Sequence, residues 1–335
     1  MTTIVTGAGL IGTAFAQNAI ARGEQVVFVD PEPRADFLKL KLGDKGYTLA
    51  RYDVRDLPNL IATIKQNGAN TVVHTAGLIG NRVQQSLNAG FDINVGGTRN
   101  VAEAVRLAGV RRLVHISTFG VYDRRRETGD APVKEDFPRG GARAYGAFKA
   151  AKELILEAYA AAYKFEVIML RPANVFGLGH FWSGSSGGQK MQRLIEAGLA
   201  GSTARIPSSE TMANEYIYAK DIGRAVDAAA TAKQPPQIHF NIGNGYVSTF
   251  EDVLAAVKAL CPDVRYDVEP GEPPHSKIAP LDISAARQHL GWEPRFTLQS
   301  AFEDYLDELK AARSHAKSAF DDDAKTVTAA RERAH

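Results

Sequence analysis

The feature that most restricts the fold is a series of short apolar runs separated by stretches of helical pattern. The runs are rich in Val and Ile and do not alternate with polar residues, which is typical of strands covered on both faces of a sheet. They lie at Thr3–Val5, Gln25–Val29, Thr71–Val73, Arg112–Ile116 and Glu166–Leu170. Between them, Val95–Ala108 has helical spacing and ends before Gly109, a residue that suits a helix C-terminus. Strand alternating with helix predicts an α/β fold with a doubly wound parallel sheet.

Composition excludes several classes of protein. Lys plus Arg number 40 and Asp plus Glu 38, so the net charge of +2 provides no field that would attract nucleic acid or an anionic membrane. The single cysteine, Cys261, rules out an internal disulfide, and no spacing of His, Asp or Glu resembles a metal site. No apolar run approaches the ~18–20 residues that span a bilayer, and the first residues lack a signal-peptide pattern. We therefore expect a soluble cytoplasmic protein that binds no nucleic acid, membrane or metal.

The first apolar run leads directly into a glycine-rich loop. Gly7, Gly9 and Gly12 fit the G-x-G-x-x-G pattern between a strand and a helix. The first glycine permits a tight turn, the second lets a pyrophosphate approach the backbone, and the third lets helix and strand pack closely. Asp30 follows 18 residues after Gly12, where a carboxylate accepts hydrogen bonds from ribose hydroxyls and repels a 2′-phosphate. The pattern predicts a Rossmann-type site for NAD, with Arg34 as the residue that would instead favour NADP.

The pattern becomes less regular after about residue 175. A Gly/Ser-rich segment at 177–188 contains His180, Phe181 and Trp182, and we expect it to be a loop near the ligand. Further elements are predicted as a helix at Met191–Ala197, a strand at Ile238–Asn241 and a helix at Phe250–Leu260. The predicted organisation is an NAD-binding domain over 1–174 with a return of the chain around 216–242, a smaller substrate-binding lobe mainly over 175–310, and a polar tail over 311–335.

A tyrosine and a lysine stand one helical turn apart, at Tyr145 and Lys149. Tyrosine ordinarily titrates near pH ~10. A neighbouring ammonium, together with a positive nicotinamide ring, favours the phenolate and lowers that pKa toward working pH. The pair is therefore a candidate for general acid–base chemistry, although the same spacing also occurs in ordinary amphipathic helices.

Taken in order, the motifs of the chain resemble those of the extended short-chain dehydrogenase/reductases, the NAD-dependent epimerase/dehydratase group. The resemblance extends over roughly residues 3–310 and rests on the ordered set rather than on any one motif. Beyond the glycine loop, Asp30 and the Tyr–Lys pair, the set comprises Asp53–Val54, His74–Gly77, Asn94–Thr98, Ser117–Tyr122, Arg171–Gly177, Tyr216–Ile222, Leu281–Ser284 and Leu290–Pro294.

The resemblance implies roles for individual residues. Thr118 matches the catalytic Ser/Thr that hydrogen-bonds the reacting oxygen, Tyr145 matches the general base or acid, and Lys149 matches the residue that binds the nicotinamide ribose. Cofactor contacts are expected at Gly7, Gly9, Leu10, Ile11, Gly12, Asp30, Asp53, Val54, Thr75, Ala76, Gly77, Asn94, Tyr145, Lys149, Pro172 and Ala173. Substrate contacts are expected at Ser117, Thr118, Phe119, Tyr145 and Asn174.

Departures from the family pattern restrict which reactions of the family we expect. The opening loop is one residue shorter than the usual T-G-x-x-G-x-x-G. Phe119 and Gly120 stand where sugar-nucleotide 4,6-dehydratases carry an Asp–Glu pair, so we do not expect dehydration. No cysteine lies near the motifs, which argues against a Cys-based epimerase. We expect an oxidoreductase acting on a secondary alcohol, with a sugar-nucleotide epimerase as the alternative. The Thr118, Tyr145 and Lys149 set argues against a third hypothesis, a non-catalytic dinucleotide sensor.

The residues before Tyr216 bear on the substrate. Family members that take sugar nucleotides usually carry an arginine there, which clamps the diphosphate. This chain has Asn214 and Glu215 instead, and a carboxylate facing the pocket would oppose a diphosphate; Arg205 is the alternative cation. The sequence therefore favours a small molecule: a sugar, a sugar acid or another hydroxy compound. The resemblance also implies a homodimer, because small and apolar residues fill the helices at 95–108 and 150–163, which form the dimer interface in this family.

Overall fold

A seven-stranded parallel sheet forms the centre of the molecule. The computed structural model describes residues 1–127, 129–141, 143–179, 186–272 and 278–314. Its strands are β1 (Thr2–Thr6), β2 (Gln25–Val29), β3 (Tyr47–Ala50), β4 (Thr71–His74), β5 (Arg112–Ile116), β6 (Glu166–Pro172), β7 (Asn174–Phe176), β8 (Thr203–Ile206), β9 (Tyr216–Tyr218), β10 (His239–Ile242) and β11 (Arg265–Val268). The large sheet has the order β10-β6-β5-β4-β1-β2-β3, and two small parallel pairs join β11 to β8 and β7 to β9. The predicted α/β fold with a doubly wound parallel sheet is confirmed.

Helices cover both faces of the large sheet, and a separate group of helices packs with β8 and β11. This group and its two strands are the second lobe. They are α1 (Leu10–Ala21), α2 (Ala35–Leu42), α3 (Leu57–Gln66), α4 (Asn81–Gln85), α5 (Leu87–Gly90), α6 (Gly97–Ala108), α7 (Ala144–Tyr163), α8 (Ser186–Ala200), α9 (Ala219–Thr231), α10 (Phe250–Leu260), α11 (Ser284–Leu290) and α12 over 298–314. A π-helical segment, Phe91–Gly96, leads into α6. Within the described ranges, no helix combines the length and apolarity that crossing a bilayer requires.

Residues that neighbour each other along a strand pack into different cores, which explains the unbroken apolar runs. In β1, Ile4 belongs to the core on the α3 and α6 side, whereas Val5 belongs to the core on the α1 and α9 side. Helices α1 and α9 approach closely at Gly223, which has no Cβ. A Cβ there would lie 2.5 Å from the carbonyl oxygen of Ala14. A third core, which includes Met191, lies in the second lobe between α8, α10 and α12.

Local differences from the sequence-based expectations have identifiable causes. The edge strand β3 was not predicted, because its residues are largely exposed or half-buried and form no Val/Ile run. The helix predicted over 95–108 begins as the π-helical segment and becomes α-helical at Gly97. The loop predicted over 177–188 ends in α8, which starts at Ser186, and the predicted tail begins inside α12. In both places the helix continues beyond its residues that pack in the third core, which begin at Met191 in α8 and end at Leu309 in α12.

Candidate active site

The glycine loop lies at the carboxyl end of β1, and each of its glycines has a different environment. Gly7 has a φ of +92°, and a Cβ there would lie 2.5 Å from the hydroxyl oxygen of Thr75. A Cβ on Gly12 would lie 2.3 Å from the carbonyl oxygen of Gly7. Gly9, at the start of α1, has open space around its Cβ position, with nothing within 4 Å. The first and third glycines therefore serve packing, whereas the second leaves room for a pyrophosphate, so the loop fits a dinucleotide.

Hydrogen bonds hold this loop against its neighbours. The N–H of Gly7 donates to the carbonyl of Val29 at 2.8 Å. The carboxylate of Asp30 accepts from the N–H groups of Ala8 and Glu32, each at 2.9 Å. Asp30 therefore lies beside the loop at the end of β2, the position from which it was expected to meet a ribose. Leu10 and Ile11 form the first turn of α1.

Two further predicted cofactor contacts, Asp53 and Val54, follow the carboxyl end of β3. Asp53 accepts two hydrogen bonds from the Arg55 guanidinium, at 2.9 and 3.0 Å. Val54 is buried, and a Cβ on Gly97 would lie 2.7 Å from its side chain. The start of α6 is therefore packed directly against Val54.

The turn after β4, Thr75–Leu78, is fixed at both ends. The hydroxyl of Thr75 donates to the carbonyl of Thr6 at 2.7 Å and lies 3.1 Å from that of Gly7. The side chain of Asn94 accepts from the N–H of Leu78 at 2.7 Å and donates to its carbonyl at 3.0 Å. Asn94 lies in the π-helical segment, a helix form that often occurs at functional sites.

Thr118, Tyr145 and Lys149 meet where α7 packs against the segment after β5. A Cβ on Gly146 would lie 2.4 Å from the carbonyl of Gly120, so the helix and this segment are in close contact. The Lys149 Nζ lies 5.8 Å from the centre of the Tyr145 ring and donates to the carbonyl of Ile116 at 2.7 Å. The Thr118 hydroxyl interacts with the Tyr145 phenol and also accepts from the N–H of Gly120 at 3.1 Å.

Burial governs the protonation of this group in the protein without NAD. Burial raises the pKa of Tyr145 to about 12, and the Thr118 hydroxyl offsets only part of that effect. Burial lowers the pKa of Lys149 to about 8, against an opposing attraction from Glu153. In the protein without NAD, desolvation of the phenolate therefore keeps the pKa of the tyrosine above its ordinary value.

Three of the predicted substrate contacts have partners inside the protein. Ser117 is buried, and its hydroxyl donates to Glu153. The Asn174 amide donates to the Asn214 side chain at 3.2 Å and to the Glu215 carbonyl at 3.1 Å. The ring of Phe119 is half-buried beneath the guanidinium of Arg124, whose central carbon lies 5.6 Å from the ring centre. Two predicted cofactor contacts lie nearby, since Pro172 ends β6 and the buried Ala173 follows it.

A buried ion pair beneath the site was not predicted. Glu153 accepts two hydrogen bonds from Arg171, at 2.7 and 2.9 Å, and the same guanidinium donates to the Tyr122 hydroxyl at 3.0 Å. The sequence contains a signal for one member of the pair: Glu153 follows Lys149 by one helical turn, so both side chains lie on the same side of α7. Glu153, Glu157 and His239 also have ligand atoms within 4.8 Å of one another, but arginines already pair with both carboxylates.

Glu215, the carboxylate that would oppose a diphosphate if it faced the pocket, has backbone partners inside the protein. Its carboxylate is buried and accepts from the backbone N–H groups of Leu281 at 2.6 Å and Gly245 at 2.7 Å. Burial raises its pKa to about 7, although these hydrogen bonds act in the opposite direction. Arg205 is exposed on β8. The expected contacts at His180, Phe181 and Trp182 lie outside the described residues.

A model of the NAD dependent epimerase/dehydratase family matches residues 3–243. The chain belongs to this family. It is therefore an NAD-dependent enzyme, and the resemblance inferred from the ordered motifs is confirmed. The glycine loop and the residues around it are the part of this family member that fits NAD.

Relatives cover nearly the whole length of this epimerase/dehydratase family member. The UDP-glucose 4-epimerase of Mycolicibacterium smegmatis is 33% identical over 312 residues, which cover 89% of this chain and 95% of that protein. The dTDP-glucose 4,6-dehydratase of Xanthomonas campestris is 27% identical over 335 residues, which cover 91% and 92%. Among solved structures, the UDP-glucose 4-epimerase of Thermus thermophilus in complex with NAD has a TM-score of 0.79 at 25% identity, covering 92% of this chain and 99% of that chain.

Proposed function

We propose that the chain is an NAD-dependent sugar-nucleotide epimerase in which Tyr145 exchanges a proton with a secondary alcohol. The observation that carries this proposal is the meeting of Thr118, Tyr145 and Lys149 at the carboxyl end of β5, in the same sheet whose strand β1 leads into the glycine loop. The similarity to a UDP-glucose 4-epimerase over 95% of that protein supports the substrate class. The comparisons thus favour the epimerase, which the sequence left as the alternative, over an oxidoreductase acting on a secondary alcohol of a small sugar, sugar acid or other hydroxy compound.

Tyr145 would exchange the proton directly with the substrate hydroxyl. The hydroxyl of Thr118 interacts with the phenol and would donate a hydrogen bond to the same substrate oxygen. Because burial holds the pKa of Tyr145 at about 12, the phenol carries its proton at neutral pH and is ready to protonate a keto oxygen. In the oxidation direction the phenol has to lose that proton first, so oxidation should become faster as the pH rises.

The cofactor residues would hold NAD in the orientation that the reaction requires. NAD, when bound, accepts a hydride from the alcohol carbon and returns it to the keto carbon. The open space at Gly9 would admit the pyrophosphate, and Asp30 would accept hydrogen bonds from a ribose. The turn after β4 and the Lys149 amine would hold the nicotinamide ribose. An epimerase returns the hydride to the opposite face of the keto carbon and therefore produces no net NADH.

A dehydrogenase of a small sugar or sugar acid is the second candidate, and the residue before Glu215 and the partners of Lys190 and Arg193 favour it. Asn214 stands where sugar-nucleotide enzymes usually carry an arginine. Lys190 donates to the Glu210 carbonyl at 2.7 Å, and Arg193 pairs with the Glu210 carboxylate at 2.8 Å. These two cations already have partners, so a diphosphate would have to be held by other groups.

Product analysis distinguishes the two candidates. The purified protein is incubated with UDP-glucose and, separately, with UDP-galactose. The epimerase proposal expects conversion in both directions without net NADH. The dehydrogenase candidate expects no epimer, and net NADH when NAD is supplied with a sugar or sugar acid.

We also propose that two copies associate through α6 and α7. Large apolar side chains are exposed on these helices, with Leu107 at 42%, Leu154 at 54% and Tyr163 at 52%. Leu154→Glu should convert the dimer to a monomer in light scattering. Val268→Glu is the matched control, because Val268 is 44% exposed on β11 in the second lobe. A wild-type monomer would contradict the proposal.

A further inference from the structure

A second lysine lies on the same side of α7 as Lys149, one helical turn further along. Lys152 is 1% exposed, and its Nζ donates to the carbonyl oxygen of Ala76 at 3.2 Å. A fully buried lysine is unusual, because an ammonium loses favourable hydration when it leaves water. Lys152 belongs to none of the motifs that identify the family, and the proposed reaction gives it no role.

The carbonyl that Lys152 holds belongs to the Thr75–Leu78 turn. Thr75 ties the start of this turn to the glycine loop, and Asn94 ties its end to the π-helical segment. Lys152 fixes the middle. A Cβ on Gly77 would lie 2.7 Å from the Asn94 Oδ1 and 3.5 Å from the Lys152 Nζ, so the two side chains hold adjacent parts of the same turn. Lys152 is therefore the third side chain, after Thr75 and Asn94, whose hydrogen bond fixes a segment that is expected to contact the cofactor.

Titratable groups face Lys152 from three elements. Lys149 precedes it on α7, and burial together with Lys149 lowers the pKa of Lys152 well below its ordinary value. His74 in β4 and His115 in β5 are buried, and their rings stack with centres 5.2 Å apart. Burial, followed by the nearby Lys152, lowers the pKa of both histidines. The carboxylate of Glu153, the next residue on α7, is paired with an arginine.

We propose that Lys152 is a positioning residue of the NAD site, which holds the Ala76 carbonyl in place and couples NAD binding to proton uptake. The N–H of Ala76 lies 3.0 Å from the Cβ position of Gly7, so the clamped turn adjoins the glycine loop. A diphosphate bound at that loop favours the charged form of a nearby amine. Binding therefore takes up a proton, and the affinity for NAD falls as the pH rises. The inference needs NAD binding only and does not depend on the proposed substrate.

Lys152→Met tests the positioning role, because it removes the N–H donors and the charge but keeps an unbranched side chain. Lys190→Met is the matched control: Lys190 is also 1% exposed and bonded to a carbonyl, at 2.7 Å, but it lies in the second lobe. In calorimetric titration with NAD, Lys152→Met should weaken binding by about tenfold, the effect of losing a buried hydrogen bond. Lys190→Met should bind NAD within about twofold of the wild type. Wild-type affinity in Lys152→Met would overturn the positioning role.

Proton uptake tests the coupling. The wild type is titrated with NAD at several pH values across the neutral range, each in two buffers that differ in ionisation enthalpy. Wild type and Lys190→Met should take up protons on binding, and Lys152→Met should take up fewer. Lys152→Gln keeps an N–H donor without the charge. It should therefore recover part of the affinity for NAD but not the proton uptake. It also replaces Lys152→Met in both tests if that variant does not fold. Absence of uptake in the wild type, or wild-type uptake in Lys152→Gln, would contradict the coupling. Because no sugar is present, these outcomes are independent of whether the protein is an epimerase.

Discussion

The two sides of the active site are built in different ways. On the cofactor side, glycines at Gly7 and Gly12 are required because a Cβ would collide with neighbouring atoms within 2.5 Å. On the substrate side, the polar side chains bind other parts of the protein, as Glu215 does with the N–H groups of Leu281 and Gly245. A short motif can specify the first kind of site, because each contact demands one residue type. The second kind depends on partners that are far apart in the sequence.

The largest expected effect is at the residue where the two sides meet. Tyr145→Phe should lower kcat by roughly 10²–10⁴-fold, because it removes the proton donor and acceptor. NAD binding should persist, since Tyr145→Phe removes one expected contact and leaves the glycine loop and the other expected cofactor contacts unchanged. Tyr163→Phe is the matched control on the same helix, because Tyr163 is 52% exposed. Steady-state turnover and NAD titration of both variants make the comparison; near-normal turnover in Tyr145→Phe would remove this residue from the mechanism.

Two glycine variants separate packing from cofactor binding. Gly12→Ala places a Cβ 2.3 Å from the Gly7 carbonyl and should destabilise the protein by roughly 1–3 kcal/mol, as overpacking does. Gly9→Ala meets nothing within 4 Å, so it should fold with nearly wild-type stability but bind NAD more weakly. Thermal unfolding and NAD titration measure the two effects. Equal loss of stability in both variants would show that the open space at Gly9 has been misassigned.

A smaller effect is expected on the substrate side, from Glu215. Its pKa in the folded protein is raised to about 7 from 4.5, so the folded state holds a proton that the unfolded state releases between these values. The corresponding stability is present below pH 4.5 and is lost as the pH rises through about 7. Glu215→Gln stays neutral, so its stability deficit relative to the wild type should be larger at acidic than at neutral pH. Denaturant unfolding across that range tests this, and a constant deficit would contradict the shift.

The sequence specified the parts of the molecule that follow from strong local constraints. Buried parallel strands leave runs such as Gln25–Val29, and the glycine loop leaves a fixed spacing. The edge strand Tyr47–Ala50 has neither signal. It pairs with another strand on one side only, and its residues are exposed or half-buried rather than a buried apolar run. Motif spacing gives the distance from Tyr145 to Lys149 but not the extent of burial, which raises the pKa of Tyr145 in the protein without NAD. The sequence shows a lysine at position 152, about one turn after Lys149. Its proposed positioning role could not be predicted, because it depends on the Ala76 carbonyl, which only the fold brings close to it.

Whether the substrate side recognises a nucleotide is tested most directly by calorimetric titration of the NAD-loaded protein with UDP, GDP and dTDP. The proposed epimerase predicts binding of at least one of them with a Kd of micromolar order, about −8 kcal/mol. Sugar-nucleotide enzymes usually carry an arginine before β9, which Asn214→Arg would supply. The wild type should bind the nucleotide without this substitution. Absence of binding by all three nucleotides in the wild type would contradict the epimerase and favour a dehydrogenase of a small sugar or sugar acid.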